Sequence, residues 1–313
     1  MRYPTPKRSI LKNGIRLITI PMPTSPTVTV TVLVEAGSRY ETKQDNGLSH
    51  FLEHMCFKGT TKRPTSAIIT RELEMIGAEY NAFTGEEMTG YWAKARTKHL
   101  DDILDVVSDI YLDPLLPEVE LEKERGVIIE EINMYEDLPQ RKVHDVLDEL
   151  MYGDQPAGRS VIGPKENIRR FARADFVRYR DLHYVGTKTA VIIAGGFSNT
   201  EMVAHAKKYF STARKGKGGM RRRTKEKQAT PALLHKEKAT DQTHFVLGFR
   251  SYPLRDKRQM TLRLLAAVLG KGMSSRLFLK LREEMGVCYY VRANQESMTD
   301  TGVFKISAGL DST

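Results

Sequence analysis

The residues that offer chemistry most directly are His50, Glu53 and His54, within the five-residue stretch His50-Phe51-Leu52-Glu53-His54. On an α-helix, residues four apart stand one above the other, so His50 and His54 share a face and their imidazoles can grip one cation. Glu53 lies beside them, where its carboxylate can reach a water on that cation and act as general base. A catalytic zinc takes three protein ligands and keeps a fourth position for water, so the stretch is one ligand short. The acidic segment from Pro117 to Tyr135 is the place to look, although it holds too many glutamates for acidity alone to choose one. With Val127, Ile128 and Ile132 marking the buried side of a helix, Glu124 and Glu131 lie two turns apart on one face close to that side, whereas Glu130 points elsewhere. Glu131 is therefore expected as third ligand, with Glu124 as the neighbour that supports it.

These residues need elements to hold them. Leu11 to Ile20 and Thr27 to Ala36 read as β-branched strands, with Asn13-Gly14 and the segment 21–26 as turns. After Asp45-Asn46-Gly47, the apolar spacing of Leu48, Phe51, Leu52 and Met55 predicts a helix ending at Lys58-Gly59, so the histidines ride a helix entered from a strand. A second helix follows from Thr65 or Ser66 to Ile76, stopped by Gly77. A strand is expected near Thr89 to Ala95, then helices near Lys98 to Tyr111 and Pro117 to Tyr135. Helical pattern with short breaks continues from Asp137 to Tyr184. The apolar run Ala190-Val191-Ile192-Ile193-Ala194 reads as a fully buried strand, and Ser198-Asn199-Thr200-Glu201 as a capping box on the next helix.

At 313 residues, with 40% hydrophobic and 28% charged residues, the chain can bury a sizeable core and suggests two domains at roughly 150 residues each. No apolar run reaches the roughly 18 residues that cross a bilayer, and the first residues lack the apolar centre of a secretory signal. A cytoplasmic address without membrane partners is expected, in keeping with only two cysteines, Cys56 and Cys288. The net charge of +10 is concentrated in residues 214–227, which hold eight basic residues and one acid. No aromatics are interleaved there for base stacking, so the segment reads as a solvated basic linker, with a docking patch for an anionic partner as the alternative, and not as a nucleic-acid site.

After that linker the pattern restarts. Thr243 to Phe249 matches Val28 to Val34 as a central strand, and Lys257 to Leu269 matches the histidine helix, which predicts an internal repeat. Leu262, Arg263, Leu264, Leu265 and Ala266 occupy the positions equivalent to the metal motif, so only the first copy can bind metal there. The expected division is a catalytic zinc-binding α+β unit over 1–213, the basic linker over 214–230, and a second unit without metal over 231–313. Each unit is read as a mostly antiparallel sheet covered by helices. The second reads as incomplete, because Asp311-Ser312-Thr313 resembles the start of a helix that does not follow.

The order His50-x-x-Glu53-His54, with Glu131 seventy-seven positions after His54 inside Glu124-Arg125-Gly126-Val127-Ile128-Ile129-Glu130-Glu131, resembles the pitrilysin, insulin-degrading enzyme and mitochondrial processing peptidase family of inverzincin metallopeptidases. Asn81-Ala82-Phe83-Thr84 and Ser274-Ser275-Arg276-Leu277-Phe278 are similar to two further runs of that family. The resemblance covers essentially the whole chain. It implies one zinc per chain on His50, His54 and Glu131, supported by Glu124, and a zinc-activated water with Glu53 as its base. It further implies an extended peptide added along the edge strand at Asn81, Ala82 and Phe83. Arg282 and Tyr289 match the groups that face the scissile carbonyl and its oxyanion. The implied activity is an endopeptidase acting on short or unfolded polypeptides. The implied assembly is a homodimer, or a heterodimer with a related subunit, since in short relatives the zinc unit and the arginine-tyrosine unit meet across different subunits.

The blander readings are that Cys56 and Met134 are core residues, and that His99 and His144 are ordinary helix-end or surface histidines. The competing function is a non-catalytic partner subunit of a processing-peptidase-like complex. Relatives of that kind have typically lost motif residues, and here all are present.

Overall fold

Valine at every second position of one strand organises the first half of the molecule. The structure, a computed structural model, describes residues 4–197 and 199–311. In strand β3 (Thr27–Val34), Val28, Val30, Val32 and Val34 are wholly buried, while Thr27, Thr29, Thr31 and Leu33 are only partly so. Period-two burial of this kind belongs to a sheet covered on one face. β3 lies inside a six-stranded sheet with β1 (Lys7–Ile10), β2 (Arg16–Pro21), β4 (Glu79–Thr84), β5 (Thr89–Arg96) and β6 (Thr189–Gly195), in the order β1-β2-β6-β3-β5-β4. Only β2 and β6 pair in parallel. The apolar run in β6 is not buried on both faces. Val191 and Ile193 are sealed, but Ala190, Ile192 and Ala194 alternate to the half-covered face.

Helices cover the valine face. α1 (Leu48–Cys56) packs beside β4 and against α7 (Arg173–His183), with the rings of Phe51 and Phe176 edge to face at 4.9 Å. α3 (Leu100–Leu112) lies on β3 and β5, next to α8 (Asn199–Phe210). α2 (Ser66–Met75) follows α1 and ends at Gly77, whose φ of 64° suits glycine. In chain order, α4 (Glu118–Glu136), α5 (Pro139–Tyr152) and the short α6 (Lys165–Arg170) come after α3 and before α7.

The second sheet has three antiparallel strands, β7 (Gln242–Ser251), β8 (Cys288–Ser297) and β9 (Gly302–Asp311), in the order β7-β9-β8. β7, expected as a central strand, is an edge strand here, because among the described residues nothing pairs with its other side as β6 pairs with β3. One face of the sheet meets α5 through Leu147, Met151 and Val303. The other meets α9 (Arg258–Gly270) through Ala266, Ala293 and Phe304. Gly248 permits the close approach of α5, since a Cβ there would sit 2.8 Å from the Leu147 side chain. The internal repeat is visible in topology: β3, α1, α2, β4, β5 in one copy correspond to β7, α9, a π-helical segment Phe278–Glu284, β8 and β9 in the other. Both copies give the order first strand, last strand, middle strand.

The compact units are Met1–Glu130 with Ser160–Arg221, and Glu131–Arg159 with Arg222–Thr313. The basic stretch is not free of the folded units. Arg221 pairs with Glu87 at 3.4 Å, Gly216 accepts from Thr187 at 2.6 Å, and Thr224 donates its N–H to Asp300 at 2.8 Å. The side chains of the expected capping box at Ser198 to Glu201 and the final Ser312 and Thr313 lie outside the described residues. No helix among those described is long and apolar enough to cross a membrane.

Candidate metal centre and active site

Helix α1 is prepared from outside its own sequence. It starts at Gly47, in a left-handed conformation with φ of 100°, and no side chain at that position caps it. The buried carboxylate of Glu41 takes over. It accepts from Gly47 N at 2.9 Å, Ser49 N at 2.7 Å and Asn46 Nδ2 at 3.0 Å. The N–H groups of Gly47 and Ser49 that would otherwise be orphaned are satisfied, Asn46 Nδ2 donates to Ser160 O at 2.9 Å as well, and a negative group sits at the positive end of the helix. Burial raises the pKa of Glu41 above its ordinary value, although the bonds from Ser49, Asn46 and Gly47 pull the other way.

On α1 the rings of His50 and His54 stand 4.6 Å apart. One ligand atom from each of His50, His54 and Glu131 lies within 4.8 Å of the other two. Glu131 is the first residue past the boundary between compact units, but it rides the same continuous helix α4 as Glu124. The buried stripe of α4 is Leu121, Glu124, Ile128 and Ile132. Val127, expected on that side, is instead 53% exposed, and Met134, expected in the core, is 50% exposed. The stripe passes through Glu124 itself, and this displaces Val127 toward solvent.

Three donors about 2.1 Å from a tetrahedral ion lie about 3.4 Å apart, so the cluster fits zinc after a small contraction. Two imidazoles and one carboxylate are a donor set of catalytic zinc. His54 Nδ1 contacts Glu124 Oε1 at 2.8 Å, which fixes the tautomer with its lone pair on Nε2. Lys58 grips the other Glu124 oxygen. Burial pushes the Glu124 carboxyl up, but the bonds from His54 and Lys58 outweigh it and hold its pKa below the ordinary value. Tyr135 donates its hydroxyl to Glu131 Oε1 at 2.6 Å, and Arg141 lies over the Tyr135 ring at 3.3 Å. Of these candidate ligands, His54 and Glu131 thus each have a partner that sets their orientation.

Glu53 is held from the sheet. Thr84, the last residue of β4, donates its hydroxyl to Glu53 Oε2 at 2.7 Å. Strand alternation then puts Ala82 on the face of β4 toward α1, and Asn81 and Phe83 on the opposite face. The Phe83 ring covers Gly90 of β5, where a Cβ would lie 2.5 Å from it. The Asn81 side chain accepts from Ala82 N at 2.8 Å.

With this geometry, the sequence comparison is decisive. The insulinase (peptidase family M16) domain matches residues 16–165, and the domain described as peptidase M16 inactive domain matches residues 170–313. The chain belongs to the insulinase family, peptidase family M16. An M16 relative in Bacillus subtilis, named uncharacterized zinc protease YmxG, is 36% identical over 303 residues, covering 97% of this chain and 73% of that protein. The human mitochondrial-processing peptidase subunit beta is 40% identical over 210 residues, 67% of this chain and 42% of the subunit. The crystal structure of a protease from Helicobacter pylori superposes with a TM-score of 0.91 at 24% identity, over 99% of this chain and 76% of that one, and shares its fold.

In the M16 inactive-domain segment, the structure brings Arg282 and Tyr289 to each other. Arg282 Nη1 donates to Tyr289 O at 2.6 Å, and its guanidinium lies 5.5 Å from the Tyr289 ring. Tyr289 is 70% exposed, so its phenol is available to a ligand. Cys56 is fully buried, receives Tyr91 OH at 3.4 Å, and has its thiol pushed up to about 11, first by burial. Sequence reasoning missed Glu41, Lys58 and Tyr135, and gave Thr84 no role. Only Tyr135 carried a local signal, being four residues after Glu131 on the same helix face.

Proposed function

We propose that this chain is a zinc-dependent endopeptidase that cleaves short or unfolded polypeptides bound in extended form. The observation that carries the reading is the convergence of His50, His54 and Glu131 within 4.8 Å, with Glu53 one residue before His54 on the same helix. Zinc, when bound, supplies Lewis acidity that brings the pKa of a water to about 7. Glu53 accepts the proton of the attacking water and returns it to the leaving amine, because a carboxylate so placed serves first as base and then as acid. Among the described residues, no strand pairs with the outer edge of β4 at Asn81, Ala82 and Phe83, so a peptide backbone can add there. Arg282 and Tyr289 are assigned to the scissile carbonyl, a cation and a phenol matching the charge that develops on its oxygen. We assign them across a dimer, with an identical or related chain, and we place the protein in the cytoplasm. Two free cysteines support that address.

Purified protein should hold one zinc per chain and cleave an unstructured fluorogenic peptide, and a chelator should abolish cleavage. Glu53→Gln should retain stoichiometric zinc and lose activity on the order of 10²–10⁴-fold. Retained activity in that variant removes the mechanism. A wild-type protein that holds zinc but cleaves nothing would favour the partner-subunit reading.

A further inference from the structure

We infer that Thr84 is the positioning residue of the general base, so that the strand offered to the peptide and the carboxylate that activates water are set by one side chain. The inference rests on the endopeptidase reading. Its starting point is the 2.7 Å bond from the Thr84 hydroxyl to Glu53 Oε2. Glu53 has a long side chain on helix α1, and rotation about its χ angles moves the carboxylate relative to the histidines. A donor on one oxygen fixes the plane of the carboxylate and the direction of the other oxygen.

The donor itself is held on every side. Thr84 closes the β4–β5 hairpin opposite Thr89, whose own hydroxyl donates to Ala36 O at 3.0 Å and whose side chain is fully buried. Gly85 N bonds Met88 O at 2.8 Å across the turn. The turn is pinned from outside by Gly37, where a Cβ would lie 2.3 Å from Gly85 O, and by Arg39, whose N–H donates to Glu86 O at 2.9 Å and whose guanidinium pairs with Glu87 at 2.6 Å. A hydroxyl on so constrained a turn is a preorganised donor, and this is what a base needs to be held within a fraction of an ångström. Because Thr84 lies two residues from Ala82 on the same strand face, any displacement of β4 when a peptide adds to its edge is passed to Glu53.

Thr84→Val keeps the β-branched shape and removes only the donor, while Thr84→Ser keeps the donor. In the zinc-loaded protein, Thr84→Val should lower kcat by about 10-fold or more, with KM and zinc content unchanged, and Thr84→Ser should stay near wild type. A second readout uses metal-free protein. The Tm shifts of Thr84→Val and Glu53→Ala should be non-additive there, because each removes the same bond. Wild-type kcat in Thr84→Val, a loss confined to KM, or additive Tm shifts would overturn the inference. If the wild-type protein cleaved no peptide, the endopeptidase reading would fall with it, and additive Tm shifts would separately dismiss the Thr84–Glu53 contact.

Discussion

Glu124 does more than sit beside a ligand. Its two oxygens join His54 Nδ1 and Lys58, so one carboxylate fixes the tautomer of a candidate ligand and ties the end of α1 to α4. Tyr135 does the equivalent for Glu131. Partners of this kind typically change metal affinity 10–100-fold when removed, so Tyr135→Phe should weaken zinc binding by about 10-fold, and Glu124→Gln by more because it also abandons Lys58. Competition against a chromophoric chelator measures both, and unchanged affinity in Tyr135→Phe would show that the Tyr135 hydroxyl does not orient Glu131. The spacing of the candidate ligands was legible in the chain because helix periodicity is local: four residues for His50 and His54, seven for Glu124 and Glu131. Lys58 and Thr84 were not, since a lysine and a threonine have no marked spacing to the groups they meet across the fold.

At the scale of elements, α1 depends on a residue that precedes it in an extended segment. Glu41 accepts three hydrogen bonds at the start of the helix that carries His50, Glu53 and His54. Replacing it with alanine leaves the N–H groups of Gly47 and Ser49 buried and unmet, at a cost of about 3 kcal/mol. Glu41→Ala should therefore shift the urea midpoint down with an unchanged slope, and should weaken zinc binding as the first turn frays. A loss of zinc affinity without a loss of stability would contradict this account. Asp45-Asn46-Gly47 correctly marked where the helix begins, but its cap comes from tertiary structure and so left no trace at the boundary. The edge position of β7 was hidden for a similar reason. Its composition matches that of β3, and only the pairing on its far side distinguishes a central strand from an edge.

For the molecule as a whole, the same succession of strand, two helices and two strands is used twice, yet the titratable groups that respond to acid are unequal in kind. Asp105 is lowered by Lys62 and Arg63 despite a larger opposing effect of burial, so its contribution to stability is present above the ordinary carboxylate pKa and is lost only below it. His183 acts at higher pH. It is buried at the end of α7 beneath Gly219, where a Cβ would lie 2.3 Å from its ring. Burial chiefly lowers its pKa to about 4, Lys188 and Arg178 add to this, and Asp45 opposes it. Between about 6.5 and 4 the unfolded chain binds a proton that the native imidazole refuses, so stability falls as pH falls through that window. At pH 5 the loss from this one group is about 2 kcal/mol. His144, also lowered first by burial, acts in the same direction. Thermal unfolding of the metal-free protein followed from pH 7 to pH 5 should show a falling Tm, and His183→Gln should flatten most of that slope. An equally steep slope in the variant would mean that the acid sensitivity lies in the carboxylates, and that the imidazole under Gly219 takes up its proton without opening the fold.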